Sequence, residues 1–152
     1  MQTRRETLRQ GALAASVLTA GSLLSQPALA FNKAAFDGKQ MADAFKALGV
    51  SGSPTESKDV TLTAPDIAEN GAVVPMTVAT TLPNVKEMLL IVEKNPAPLV
   101  ALFNVSPEVE ANFATRAKMG QSSDGYAVAV TTDGKALYAK KEVKVTLGGC
   151  GG

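Results

Sequence analysis

From Asp59 to Leu147 the chain is a succession of short β-rich runs, each cut off by turn-forming residues. No other feature constrains the fold as much. Runs of this length and composition read as strands, and the gaps between them leave no room for alternating helices. Strands are predicted near 59–64, 73–80, 87–93, 99–105, 112–119, 125–132 and 135–147. Pro65-Asp66 with Asn70-Gly71, Asn95-Pro96-Ala97-Pro98, and Ser106-Pro107-Glu108 mark turns. Asp133-Gly134 between two alternating runs is the strongest short hairpin signal. Seven strands at this spacing predict a mainly β fold, an immunoglobulin-like antiparallel β-sandwich. Met88-Leu89-Leu90-Ile91-Val92 is apolar throughout, which predicts a central strand, with a buried helical turn as the alternative. Ahead of the strands, Met41, Phe45 and Leu48 recur at i, i+4 and i+7, so one helix is expected over 34–48, weakened by Gly38 and capped by Gly49. A loop follows over 49–55.

Residues 1–30 read as an export signal and are set aside from the fold. Arg4, Arg5 and Arg9 form a charged region, Gly11 to Leu24 is uncharged and mostly apolar, and Ala28-Leu29-Ala30 has the small-x-small form of a cleavage site. The apolar run is shorter than the ~20 residues that a bilayer span needs. No cysteine lies near the cut, which excludes a lipoprotein signal. Thr3-Arg4-Arg5-Glu6-Thr7-Leu8-Arg9 resembles the twin-arginine motif, departing from it at Thr7, with a general secretory signal as the alternative. The twin-arginine route carries folded cargo holding a cofactor or a partner, and with no cofactor ligands visible a co-exported partner is expected. The location expected is the periplasm. Setting aside Arg4, Arg5, Arg9 and Glu6 leaves 12 basic and 13 acidic side chains, of 15 and 14 in the whole chain, a net charge of −1. That balance gives no electrostatic case for nucleic acid.

The chain has no histidine and one cysteine. It therefore lacks the commonest general base and the commonest metal ligand. Ser-His-Asp and Cys-His nucleophile pairs, an internal disulfide and a cysteine-based zinc cluster are all excluded. No catalytic or metal-binding residue and no cofactor is predicted.

The last strand alternates. Leu137, Ala139, Val143, Val145 and Leu147 share one face, interrupted by Lys141; Tyr138, Lys140, Glu142, Lys144 and Thr146 share the other. Then the pattern stops at Gly148-Gly149-Cys150-Gly151-Gly152. Glycine has no side chain to pack and the widest backbone freedom, so this segment is expected to carry the thiol of Cys150 on a flexible arm. From Leu147 to Cys150 the extended reach is about 10 Å. An unpaired cysteine in an oxidising compartment points to intermolecular pairing or a reactive thiol. No neighbouring base lowers its pKa, so activation has to come from whatever protein receives the arm. Prenylation is excluded because Cys150 is third from the end. The ubiquitin-like sulfur carriers also end in Gly-Gly, but they need ATP and a β-grasp fold.

The segment Lys144-Val145-Thr146-Leu147-Gly148-Gly149-Cys150-Gly151-Gly152 closely resembles the C-terminus of the SoxY family, the sulfur-carrying subunits of the bacterial Sox thiosulfate-oxidation system. Leu62-Thr63-Ala64-Pro65-Asp66-Ile67-Ala68-Glu69-Asn70-Gly71-Ala72-Val73-Val74-Pro75, Glu93-Lys94-Asn95-Pro96 and Lys118-Met119 resemble interior blocks of the same family. The resemblance implies a heterodimer with SoxZ, exported alongside. It implies that a c-type haem partner joins thiosulfate oxidatively to Cys150, that a manganese-dependent hydrolase releases sulfate, and that a sulfane dehydrogenase, where present, oxidises the remaining sulfur. Cys150 is then the covalent attachment site and Gly148, Gly149, Gly151 and Gly152 the swinging arm, in a carrier rather than an enzyme. The competing expectation is a structural or adhesion-type sandwich whose cysteine only makes an interchain disulfide.

Other polar groups point less far. Lys140, Lys141 and Lys144 either favour an anionic adduct or form a solvated strand face. The pairs Glu108/Glu110 and Asp66/Glu69 read as turn solvation and capping. Phe103 and Phe113 are expected in the core, and Tyr126 and Tyr138 to face each other across the last hairpin.

Overall fold

A computed structural model of the chain describes residues 31–146. The predicted signal residues Arg4, Arg5, Ala28 and Ala30, and Cys150 with Gly148, Gly149, Gly151 and Gly152, lie outside the described residues.

The segment expected to form one helix forms two, α1 (Lys33–Asp37) and α2 (Met41–Ala47). The break falls at Gly38, whose backbone is extended at φ −54°, ψ 140°. The Asp43 carboxylate accepts the N–H groups of Lys39 and Gln40, each at 3.0 Å, and so starts α2 afresh. A Cβ on Gly38 would meet the Asp43 Cβ at 2.8 Å, so the break needs a glycine. Asn32 links the pair. Its side-chain oxygen accepts the Ala35 N–H at the start of α1, and its amide donates to the Ala47 carbonyl at the end of α2, both at 3.1 Å. Gly49, at φ +68°, ends α2 as predicted.

The seven predicted strands all form: β2 (Val60–Thr63), β4 (Val74–Thr80), β5 (Val85–Val92), β6 (Leu99–Asn104), β7 (Asn112–Ala117), β8 (Ser123–Thr131) and β9 (Ala136–Val145). Two further segments, β1 (Thr55–Glu56) and β3 (Ile67–Ala68), are only two residues long. The small sheet runs β2-β4-β7 and the large one β9-β8-β5-β6, antiparallel throughout. Three strands facing four is the immunoglobulin-like plan expected from the punctuation. β1 and β3 add a parallel element. They pair with β9 along its outer edge, Thr55 opposite Leu137 and Ile67 opposite Lys144, and so cover an edge that would otherwise present unpaired backbone.

Two apolar layers hold these parts together. Between the sheets lie Val74, Met76, Val78, Met88, Leu90, Val92 and Val143, all fully or nearly fully buried. On the other face of the large sheet, Leu89, Ile91, Val128 and Val130 pack against Ala35, Ala44, Phe45 and Leu48 of the helices. The run Met88 to Val92 is thus a central strand covered on both faces, which is why it lacks polar alternation. Tyr126 and Tyr138 meet as expected, ring centres 5.6 Å apart, under the helical layer. Burial, with Glu93 and Asp124 nearby, raises the Tyr126 pKa above its ordinary 10.0. Phe103 and Phe113 stack at 4.6 Å and are half-buried at the margin of the inter-sheet core.

Candidate functional site

The ladder between β8 and β9 ends at Ser123 opposite Val143. Past that point an antiparallel strand has lost its main partner, and strand ends of this kind fray. Here the next three N–H groups are all bonded. Lys144 donates to the Asp66 carbonyl at 3.0 Å and Thr146 to the Ala68 carbonyl at 3.1 Å, on the β3 side. Between them Val145 donates to the Ser122 hydroxyl at 2.9 Å, on the opposite side. The strand is gripped from both edges up to Thr146, four residues short of Cys150.

The grip is closed by Gly71. Its carbonyl accepts the Met119 N–H at 2.7 Å. A Cβ on Gly71 would stand 2.4 Å from the Met119 carbonyl oxygen and 2.8 Å from Val145 Cγ1, so only glycine lets the loop after β3 close over Val145. Asn70 shapes that loop, its side-chain oxygen accepting the Ala72 N–H at 2.9 Å. The 118–123 segment is tied in turn to the loop after β5. The Asn95 amide donates to the Lys118 carbonyl at 2.8 Å, and the Lys94 N–H to the hydroxyl of buried Ser123 at 3.1 Å. The three interior blocks that carry the family resemblance thus meet at one end of the sandwich, around the root of the segment leading to Cys150.

Lys141 interrupts the apolar face of β9, and its surroundings give the reason. Its ammonium donates to the Ala64 carbonyl at 2.5 Å and pairs with Asp66 at 2.9 Å, so the side chain crosses the inner face to reach the clasping loop. Lys140 lies 4.0 Å from Asp124. Lys144 is exposed and forms no ion pair among the described residues. The three lysines therefore do not act as one cluster. Glu108, Glu110 and Glu69 are exposed loop residues, and Asp66 serves Lys141. Sequence reasoning missed Gly71 and Ser122. Asn70-Gly71 was legible only as a turn, and nothing local distinguishes Ser122. The signal for the clasp is the lysine in an otherwise apolar strand face, which calls for a partner inside the fold. Among the described residues no group of three or more Cys, Asp or Glu side chains is arranged to hold a metal ion. No helix among them is long and apolar enough to cross a membrane.

The family model described as sulfur oxidation protein SoxY matches residues 45–150. The chain belongs to the SoxY family. The solved structure of the sulfur carrier protein SoxY from Chlorobium limicola f thiosulfatophilum is 36% identical, covers 71% of this chain and 97% of its own, and has a TM-score of 0.64. A superoxide reductase (neelaredoxin) from Ignicoccus hospitalis has a TM-score of 0.51 at 16% identity, covering 57% of this chain and 79% of its own. Another structure of the reductase from that organism has the same TM-score of 0.51 and the same 16% identity, covering 57% and 80%. These reductases share the fold alone. No curated protein sequence matches the chain. Membership of the SoxY family makes the chain a component of a sulfur-oxidation system, and the role that family and fold support is that of a sulfur carrier.

Proposed function

We propose that the chain is a periplasmic carrier that holds the sulfur intermediates of thiosulfate oxidation covalently on Cys150 and presents them to partner enzymes. The observation that carries this is the grip on β9 up to Thr146 in a SoxY-family chain, followed by Gly-Gly-Cys-Gly-Gly. A thiol four residues from a fixed point is at most about 14 Å from it. That is long enough to enter a cleft and short enough to keep the bound sulfur at high local concentration. Gly148, Gly149, Gly151 and Gly152 make the tether thin, without side chains to obstruct a narrow entrance.

In this reading the thiol of Cys150 and thiosulfate lose two electrons and one proton and form a Cys–S–S–SO3⁻ adduct. A c-type haem partner takes the electrons. Water then attacks the terminal sulfonate sulfur at a manganese-dependent hydrolase. The S–SO3 bond breaks, hydrogen sulfate leaves, and a persulfide remains on Cys150. A sulfane dehydrogenase, where the host has one, oxidises that remaining sulfur. The carrier contributes attachment and delivery, and its lack of histidine fits a chain that leaves acid–base work to others. SoxZ is the proposed heterodimer partner, and Arg4-Arg5 with cleavage after Ala30 the proposed export route. The test is Cys150→Ser in the host. Loss of thiosulfate oxidation with the protein still exported and folded supports the reading, and normal oxidation by that strain overturns it.

A further inference from the structure

Three backbone hydrogen-bond donors at the end of β9 outlast its pairing with β8, and each finds an acceptor in a different place: the Asp66 carbonyl, the Ser122 hydroxyl and the Ala68 carbonyl. Two of these acceptors flank or belong to a strand of only two residues, which has too few bonds of its own to stay in place. What holds it there is the loop that follows. Gly71 accepts from Met119 and packs its bare α-carbon against the Met119 carbonyl and Val145. The third acceptor is a side chain from the segment just after Met119. Gly71 and Ser122 are thus the two points at which a loop from one sheet edge and a turn between β7 and β8 close around Val145.

We infer that Gly71 and Ser122 are positioning residues for sulfur transfer: they fix the point from which the tether to Cys150 begins. This rests on the carrier reading. If the grip is lost, the last held residue moves back from Thr146 to Val143, and its separation from Cys150 along the sequence grows from four residues to seven. Effective concentration falls as about the −3/2 power of tether length, which makes the change about twofold. The effect falls on the encounter between the thiol and an enzyme cleft, not on the chemistry of the sulfur.

The experiment uses the full mature chain assembled with its export partner. Gly71→Ala, Ser122→Ala and Ser122→Thr are compared with Gly120→Ala, a glycine of the same turn where a Cβ meets nothing within 4 Å. Amide hydrogen exchange at Lys144, Val145 and Thr146 is expected to speed up about tenfold in Gly71→Ala and Ser122→Ala, the equivalent of one ordinary hydrogen bond. Exchange within Val85–Val92 stays unchanged. Thiosulfate loading by the haem partner should show the carrier's KM raised about twofold with kcat constant. Alkylation of Cys150 by iodoacetamide, which needs no cleft, should keep its rate. Ser122→Thr keeps the hydroxyl and restores KM, and Gly120→Ala is silent. If Gly71→Ala does not fold, Ser122→Ala alone decides. Faster exchange with unchanged KM, or unchanged exchange in both variants, overturns the inference while leaving the carrier reading standing. A wild-type chain that takes up no sulfur overturns the carrier reading, and the inference with it.

Discussion

At the end of the sandwich where the chain leaves toward Cys150, the contacts join parts of the sequence far from one another: Asp66 and Ala68 with Lys144 and Thr146, Gly71 with Met119, Asn95 with Lys118. At the opposite end the strand ends are tied to one another, Thr81 donating to the Asp59 carbonyl and Thr132 to the Asn84 carbonyl, but several turns also close on their own residues. Gly134 donates to the Thr131 carbonyl, Val109 to Ser106, Asn112 to Glu110, and Leu82 to the Thr80 hydroxyl. An open cavity of about 440 Å³ lies there, lined by 80–86, by residues of 105–111 and by Thr132. One end thus combines turns closed on themselves with bonds between strand ends, and the other is a single knot of loops that close on one another. For the proposed carrier, a fixed exit toward Cys150 needs the second kind, because a turn closed on itself cannot hold the edge of a strand that belongs to another part of the chain.

The sharpest perturbation is one that should not distinguish the ends. Leu90 is fully buried between the sheets, and Leu90→Ala should cost about 2–5 kcal/mol in urea unfolding. Both ends should lose structure in the same transition. Separate transitions would mean that the knot is an independent unit.

The next comparison sets one glycine from each end side by side. Gly71→Ala forces the Met119 backbone to move and should cost about 1–3 kcal/mol. Gly134 sits at φ +84° in the hairpin turn, where alanine should cost about 1 kcal/mol. If the order is reversed, steric closure at Gly71 is not what holds the knot.

Much of this contrast could be read from the sequence only on its local side. The seven strands and the Asp133-Gly134 hairpin were legible because period-two alternation and turn residues are short-range signals. The break at Gly38 was half legible. The glycine marked a weak point, but the capture of two N–H groups by Asp43 needed the fold. The polar face of the last strand was misleading at its start, since Ala136 and Tyr138 are covered by the helical layer. The Met41, Phe45, Leu48 stripe announced an apolar helix face without saying which sheet would receive it. The knot was the least legible part. β3 has two residues, pairs in parallel with a strand some 77 positions away, and leaves no periodic trace. Only the resemblance of 62–75, 93–96 and 118–119 to one family hinted that those stretches belong together, and their meeting around the last held residues of β9 gives that resemblance a physical content.

Smaller effects refine the contrast. Lys141→Met keeps the aliphatic stem but removes the bonds to Ala64 and Asp66. It should cost up to about 1 kcal/mol, more at low salt than at high salt. A salt-independent loss would assign the role of Lys141 to packing. The smallest effect belongs to the opposite end. The Thr131 hydroxyl, and after it Lys135, hold the Asp133 carboxyl below its ordinary 3.8. A carboxylate whose folded pKa is lowered adds stability above the unfolded value and loses it as pH falls through the folded one. Asp133→Asn should therefore lower the Tm slightly at neutral pH and not at all once the pH has fallen through the lowered pKa of the folded carboxyl, which lies under its ordinary 3.8. An equal difference at both pH values would remove the charge from the explanation.

The central claim is that the knotted end exists to deliver sulfur held on Cys150. It is tested most directly by the intact mass of the protein taken from the periplasm of thiosulfate-grown cells without reductant. The account predicts a monomeric chain beginning at Phe31 and carrying added sulfur or sulfonate masses on Cys150, all removed by reductant. A chain found only as a disulfide-linked pair with no such additions would contradict it.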